Sequence, residues 1–125
     1  MRILLVEDQD SIRSLIEALV SARGHQVVAA KNGAKALELA LDTPPDIVLL
    51  DLHLPGSYDG FAVCERLRAN PTTSTVPVVV ISASDDTENR ARAARTGATS
   101  YFGKPFSPMA LLKDIERLGR RPRPA

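Results

Sequence analysis

The sequence is poor in the features that mark many protein classes. Cys64 is its only cysteine, so an intrachain disulfide and a cysteine-rich metal site are both excluded. A nearly cysteine-free chain fits a reducing cytoplasm. No apolar run approaches the about 20 residues needed to span a bilayer. The start, Met1-Arg2-Ile3-Leu4-Leu5-Val6-Glu7-Asp8, turns acidic too soon for a signal peptide. Charge of one sign is missing too: 16 basic and 15 acidic residues leave a net charge of +1. Four of the arginines, Arg117, Arg120, Arg121 and Arg123, lie in the last nine positions, and the other 116 residues hold 12 bases against 15 acids. A mildly acidic body with a basic tail is not a nucleic-acid-binding face, which needs Lys and Arg clustered over a domain. Gly-rich phosphate and dinucleotide fingerprints are absent. Gly97 and Gly103-Lys104 are separated by five residues where a P-loop has four, and Pro105 stands where it needs Ser or Thr.

What is present is ordinary in amount and ordered in pattern. The 125 residues, 44% apolar and 25% charged, suit one globular domain with a core of its own. Three apolar runs, Ile3–Val6, Ile47–Leu50 and Val76–Ile81, are rich in Val, Ile and Leu and do not alternate, as expected of strands buried on both faces. Gln26–Ala30 and Ser100–Phe102 are weaker strand candidates. Helical stripes separate them: Ile12 to Val20, stopped by Gly24; Ala36 to Leu41, before Pro44-Pro45; Phe61, Cys64 and Leu67, before Asn70-Pro71; Thr87 to Thr96, with a thin stripe of Ala91 and Ala94; and Met109, Leu112, Ile115 and Leu118, bounded by Ser107-Pro108 and Gly119. Strand and helix alternate five times, which predicts an α/β fold with a parallel sheet covered by helices on both faces.

In such folds ligands bind beyond the carboxyl ends of the strands. The residues predicted there are Glu7-Asp8, Asp51, Ser82 and Lys104-Pro105. Three acids, a hydroxyl and an ammonium thus converge on one sheet edge. Clustered carboxylates repel unless a cation joins them, and all-oxygen ligands suit a hard ion such as Mg²⁺. A carboxylate nucleophile beside a cation and a lysine suggests phosphoryl chemistry on an aspartate. Helix capping is the competing reading for Glu7, Asp8 and Ser82.

These stretches, together with Asp46-Ile47-Val48-Leu49-Leu50-Asp51-Leu52-His53-Leu54-Pro55-Gly56, Asp59-Gly60-Phe61, Pro77 to Ala83, and Gly97-Ala98 through Tyr101 to Lys104-Pro105-Phe106, resemble a receiver domain of two-component response regulators. The resemblance covers residues 2 to about 118. It implies a flavodoxin-like, doubly wound (βα)5 three-layer sandwich, its five-stranded parallel sheet in the order 2-1-3-4-5. A receiver domain over 1–119 is expected, with 120–125 as a basic tail or linker stub.

Residue by residue, the resemblance makes Asp51 the phosphoacceptor. Asp8 becomes a direct Mg²⁺ ligand (Mn²⁺ is an alternative ion), Glu7 a ligand through water, and the backbone carbonyl of His53 a third protein ligand. Lys104 pairs with the acids and then with the phosphoryl group. Ser82 and Tyr101 are the switch residues. The side chains of His53 and Ser84 sit at the site mouth, where they modulate the phosphoryl lifetime. The Lys104–Pro105 bond is expected to be cis. Implied partners are a histidine kinase or phosphotransfer protein, and a downstream protein on the face of the fourth helix, fifth strand and fifth helix. A cytoplasmic monomer or weak dimer is expected, with no membrane insertion, no nucleic acid and no turnover chemistry beyond phosphorylation and slow dephosphorylation of its own Asp51.

Two departures from the family pattern stand out. His53 is one, and the loop Pro55-Gly56-Ser57-Tyr58-Asp59-Gly60, one residue longer than the commonest form, is the other. A phosphatase of the haloacid-dehalogenase type would need an acid at position 53. The remaining alternatives are a receiver-like interaction module that no longer takes phosphate and a receiver cut from a hybrid kinase or larger regulator. Thr99-Ser100 before Tyr101, with Asp114 and Glu116 in the last helix, weaken a winged-helix transcription-factor origin.

Overall fold

The computed structural model describes residues 1–83 and 86–120. Five strands alternate with five helices: β1 (Arg2–Val6), α1 (Asp10–Ser21), β2 (Gln26–Ala30), α2 (Gly33–Asp42), β3 (Ile47–Asp51), α3 (Gly60–Ala69), β4 (Val78–Ser82), α4 (Thr87–Arg95), β5 (Ser100–Gly103) and α5 (Pro108–Gly119). All neighbouring strands are parallel, in the order β2-β1-β3-β4-β5.

The non-alternating apolar runs have a direct physical outcome. Successive side chains of a strand point to opposite faces, so β1, β3 and β4 feed two cores at once. Leu4, Val6, Val48, Leu50, Val78 and Val80 pack with residues of α2 and α3 on one face. Ile3, Leu5, Ile47, Leu49, Val79 and Ile81 pack with Ile16 and Val20 of α1 and Leu111, Leu112, Ile115 and Leu118 of α5 on the other. The two weaker runs are the edge strands β2 and β5, where burial is only partial.

Several local expectations shift. The fourth strand starts at Val78 instead of Val76 and includes Ser82. Pro77 has no N–H to give a ladder, and only its carbonyl is used, accepting from Val48 N at 2.9 Å. In α4 the buried residue is Ala93, while Ala91 and Ala94 are exposed. In α5, Met109 is 56% exposed and Leu111 takes the core position. Met109 lies in the first turn, at the edge of the sheet's cover. Leu15 and Leu41 are likewise about half exposed, at 49% and 47%. The basic tail lies outside the described residues from Arg121 to Ala125; Arg120 is exposed just beyond α5. Among the described residues no helix is long and apolar enough to cross a membrane.

Candidate functional site

The carboxyl ends of β1, β3 and β4 and the loop after β5 meet at one edge. Glu7 and Asp8 follow β1, Asp51 ends β3, Ser82 ends β4, and Lys104 follows β5. Register explains the convergence: Val6 pairs with Leu50, Asp51 with Ile81, and Ser82 with Gly103, so the strand ends come level.

Glu7 is 1% exposed and Asp51 5%, an unusual depth for carboxylates. Lys104 compensates. Its Nζ donates to Glu7 Oε1 at 2.9 Å and to Asp51 Oδ2 at 3.3 Å, with Gln9 Oε1 at 3.5 Å. The free oxygens are also engaged: Asp51 Oδ1 accepts from His53 N at 3.1 Å, and Glu7 Oε2 from Gln9 N at 3.2 Å. Burial pushes the Glu7 carboxyl pKa up against the pull of Lys104, with Asp51 adding repulsion. Burial works against the Lys104 charge too, but the two carboxylates outweigh it and hold its pKa above that of a free lysine.

Asp8 stands beside this pair, exposed. Carboxylate oxygens of Glu7, Asp8 and Asp51 all lie within 4.8 Å of one another. An all-oxygen set of three acids with one exposed member fits a hard divalent cation that keeps part of its water shell. The capping reading does not hold. Gln9 is the N-cap of α1, with no side-chain cap bond, and Asp86 caps α4 through Asn89 N.

The other predicted residues fall around this cluster. Ser82 is fully buried at the strand end, and its carbonyl accepts from Lys104 N at 2.8 Å. His53 is exposed at the rim. Tyr101 is half-buried on β5, with the Arg90 guanidinium 4.7 Å from its ring centre. The Lys104–Pro105 bond is cis. Ser84 lies outside the described residues.

Gly60 sets the loop after Asp51. Its N–H donates to Leu52 O at 2.9 Å. A Cβ there would fall onto the Asp51 carbonyl oxygen and within 2.5 Å of Leu52 Cα. The backbone of α3 can approach the acceptor strand this closely only without a side chain.

A profile of the response regulator receiver domain matches residues 3–116. The chain belongs to the response regulator receiver domain family. This receiver domain is 39% identical over 119 residues to the response regulator PleD of Caulobacter vibrioides, covering 95% of the chain and 26% of PleD. It is 35% identical to the protein PilH of Pseudomonas aeruginosa, covering 91% of the chain and 93% of PilH. The chain spans from about a quarter to about half the length of most of the curated relatives it matches, 26% of PleD and 49% of the regulator GltR. Among solved structures, a putative response regulator of Chloroflexus aurantiacus superposes with a TM-score of 0.91 at 31% identity, covering 96% of this chain and 98% of the other. The receiver domain of a Pseudomonas aeruginosa sensor histidine kinase, solved with a magnesium ion coordinated in its active site cleft, gives 0.88 at 28% identity, covering 96% and 98%. Receiver domains work in two-component signalling, where phosphorylation and Mg²⁺ are general features of the family. They act with histidine kinases or phosphotransfer proteins and with downstream targets, and are generally not turnover enzymes.

Two arrangements in this receiver domain had no counterpart in the sequence reading. His25 is buried against Glu116. Arg68 spans from α3 to the carbonyls of Gly97 and Val76. Both depend on residues far apart in the chain, and neither carries a local motif.

Proposed function

We propose that this chain is a phosphorylation-driven switch in which Asp51 accepts a phosphoryl group from a histidine kinase or phosphotransfer protein. The observation that carries the reading is the Lys104 ammonium bridging Glu7 and Asp51, at 2.9 and 3.3 Å, beside Asp8. An Asp51 oxygen forms the new P–O bond as the donor's P–N bond breaks. Asp8, Asp51 and the His53 carbonyl would hold Mg²⁺ (or Mn²⁺), with Glu7 acting through water. When bound, the ion neutralises the charge on the phosphoryl oxygens. Lys104 turns from the carboxylates to the phosphoryl group, and the buried Ser82 hydroxyl bonds one of its oxygens. Tyr101 follows as the second switch residue.

The partly buried α4 and the half-buried Tyr101 support the α4–β5–α5 face as the output surface, because weakly buried elements are the ones that shift populations at low cost. His53, exposed at the rim, and Ser84 would modulate how long the phosphoryl group survives. The chain is read as a receiver over 1–119, cytoplasmic, monomeric or weakly dimeric, standing alone or as part of a longer regulator.

The test is intact-protein mass after incubation with acetyl phosphate and Mg²⁺. One added phosphoryl group, lost in Asp51→Asn and with a chelator, supports the switch. A folded protein modified by neither acetyl phosphate nor a histidine kinase would instead be an interaction module with a relic site. His53→Ala is expected to change the dephosphorylation rate, followed by loss of the added mass; an unchanged rate removes its side chain from the mechanism.

A further inference from the structure

A groove of about 530 Å³ lies between α2 and α3, and none of its lining belongs to the acidic edge. Its two walls differ in chemistry. Leu37 and Leu41, one turn apart on α2, form an apolar wall with the buried Leu67. Leu41 is 47% exposed, so the groove holds apolar surface that folding does not cover. Arg66 and Asn70, also one turn apart, line the other side from α3 and its C-cap. The Arg66 guanidinium lies over the Tyr58 ring, 4.9 Å from its centre. Stacking occupies the face of the guanidinium and leaves its N–H edge, and among the described residues no acceptor lies within hydrogen-bond reach of that edge. Asn70 Oδ1 accepts from Thr72 N at 2.9 Å, which leaves the NH2 of the same amide as a second donor. No Asp or Glu is among the lining residues. The floor is fixed by the chain itself: Thr73 is fully buried, and its hydroxyl donates to Leu67 O at 2.6 Å.

We infer that this groove binds a small amphipathic carboxylate, its apolar body against Leu37, Leu41 and Leu67 and its carboxylate on Arg66 and Asn70. The volume is that of a small-molecule site, and such sites set a few placed polar groups among apolar walls. Charge complementarity selects the anion. Two donors with no acid beside them offer a cationic ligand nothing, whereas a guanidinium and a carboxylate make a strong, planar pair. A polyanion fits less well, because the groove supplies a single cation. Tyr58, on which Arg66 stacks, comes from the loop between β3 and α3, the segment that is one residue longer than the commonest family form. The site needs neither the metal nor the phosphoryl group of the proposed switch.

The experiment titrates the isotope-labelled full chain with naphthoate and, separately, with its primary amide, which has the same rings and no charge. Naphthoate should bind saturably and shift the amide resonances of Leu37, Leu41 and Leu67. It should bind about fivefold more tightly than the amide, the size of an exposed ion pair, and that margin should shrink as salt rises. Arg66→Gln, at an exposed position, should abolish the margin and leave the amide's binding unchanged. Ala69→Glu, at an exposed lining position, should weaken naphthoate and spare the amide. Lys35→Gln removes a cation from α2 outside the lining and should change neither. Binding of neither probe, equal binding of the two, resonance shifts elsewhere, or a margin that survives Arg66→Gln would overturn the inference.

Discussion

Lys104 and Glu116 hold buried or half-buried charge at opposite ends of the sheet, and each depends on partners more than fifty residues away in sequence. Lys104 offsets two carboxylates at the acceptor edge. Glu116, near the end of α5, is gripped by Arg23 at 2.9 Å and by His25 at 2.8 Å. These bonds draw its carboxyl pKa down to about 2, Arg23 first and His25 second. The folded pKa lies below the unfolded value of 4.5, so Glu116 adds stability that is fully present above the unfolded value. That stability is lost as pH falls from there toward 2. Glu116→Gln should therefore lower stability at pH 7 and flatten its decline between those limits. Urea unfolding at several pH values checks this. Parallel curves for variant and parent would show that the Arg23–Glu116–His25 contact adds nothing.

Among the elements, α4 is the least anchored helix, and its two ends are held differently. Its C-terminal end is tied down. The Arg68 guanidinium donates to Gly97 O at 3.0 and 2.8 Å and to Val76 O at 2.6 Å, and Ala98 N donates to Ala93 O at 2.9 Å. Gly97 has φ +107° and lies so close to Arg68 that a Cβ would meet its side chain, which is why the helix turns there at a glycine. The N-terminal end has the Asp86 cap and exposed residues through Glu88. Amide exchange over 87–92 is thus expected to run about ten or more times faster than in β3. Arg68→Gln should extend the fast exchange to 93–98. Uniform protection across α4 and β3, measured by mass spectrometry, would refute this. The thin stripe was legible in the sequence, but not the identity of its buried residue. Ala91, Ala93 and Ala94 are chemically alike, and only the helix's rotation against the sheet selects Ala93.

At the scale of the whole molecule, four chain segments supply the one acidic edge, so any metal bound there is linked to folding. A ligand that binds only the folded state stabilises it, by about 1.4 kcal/mol at roughly ten times its dissociation constant. Mg²⁺ should raise the melting temperature of the parent, a chelator should reverse the rise, and Asp8→Asn should largely remove it without unfolding the protein, because Asp8 is exposed. A melting temperature indifferent to Mg²⁺ in the parent would count against the metal centre.

The sequence by itself determined the layers and the edge at which the polar strand-end residues collect. Non-alternating Val, Ile and Leu runs such as Ile47–Leu50 can be buried only on both faces, and the polar residues that end these runs must then collect at one edge. Composition decided as much: a chain with one cysteine and three strand-end acids has oxygen ligands and little else to offer an ion. Tertiary structure alone decided which carboxylate is buried and which is open. Glu7 and Asp8 are neighbours in sequence, yet Glu7 turns inward to Lys104 and Asp8 faces solvent. It also decided the partner of His25, the reach of Arg68 and the exposure of Met109. The reason is common to all of these. Local pattern sets which faces are apolar, whereas the pairing of charges across long loops, and the rotation of a helix against the sheet, depend on the packed whole.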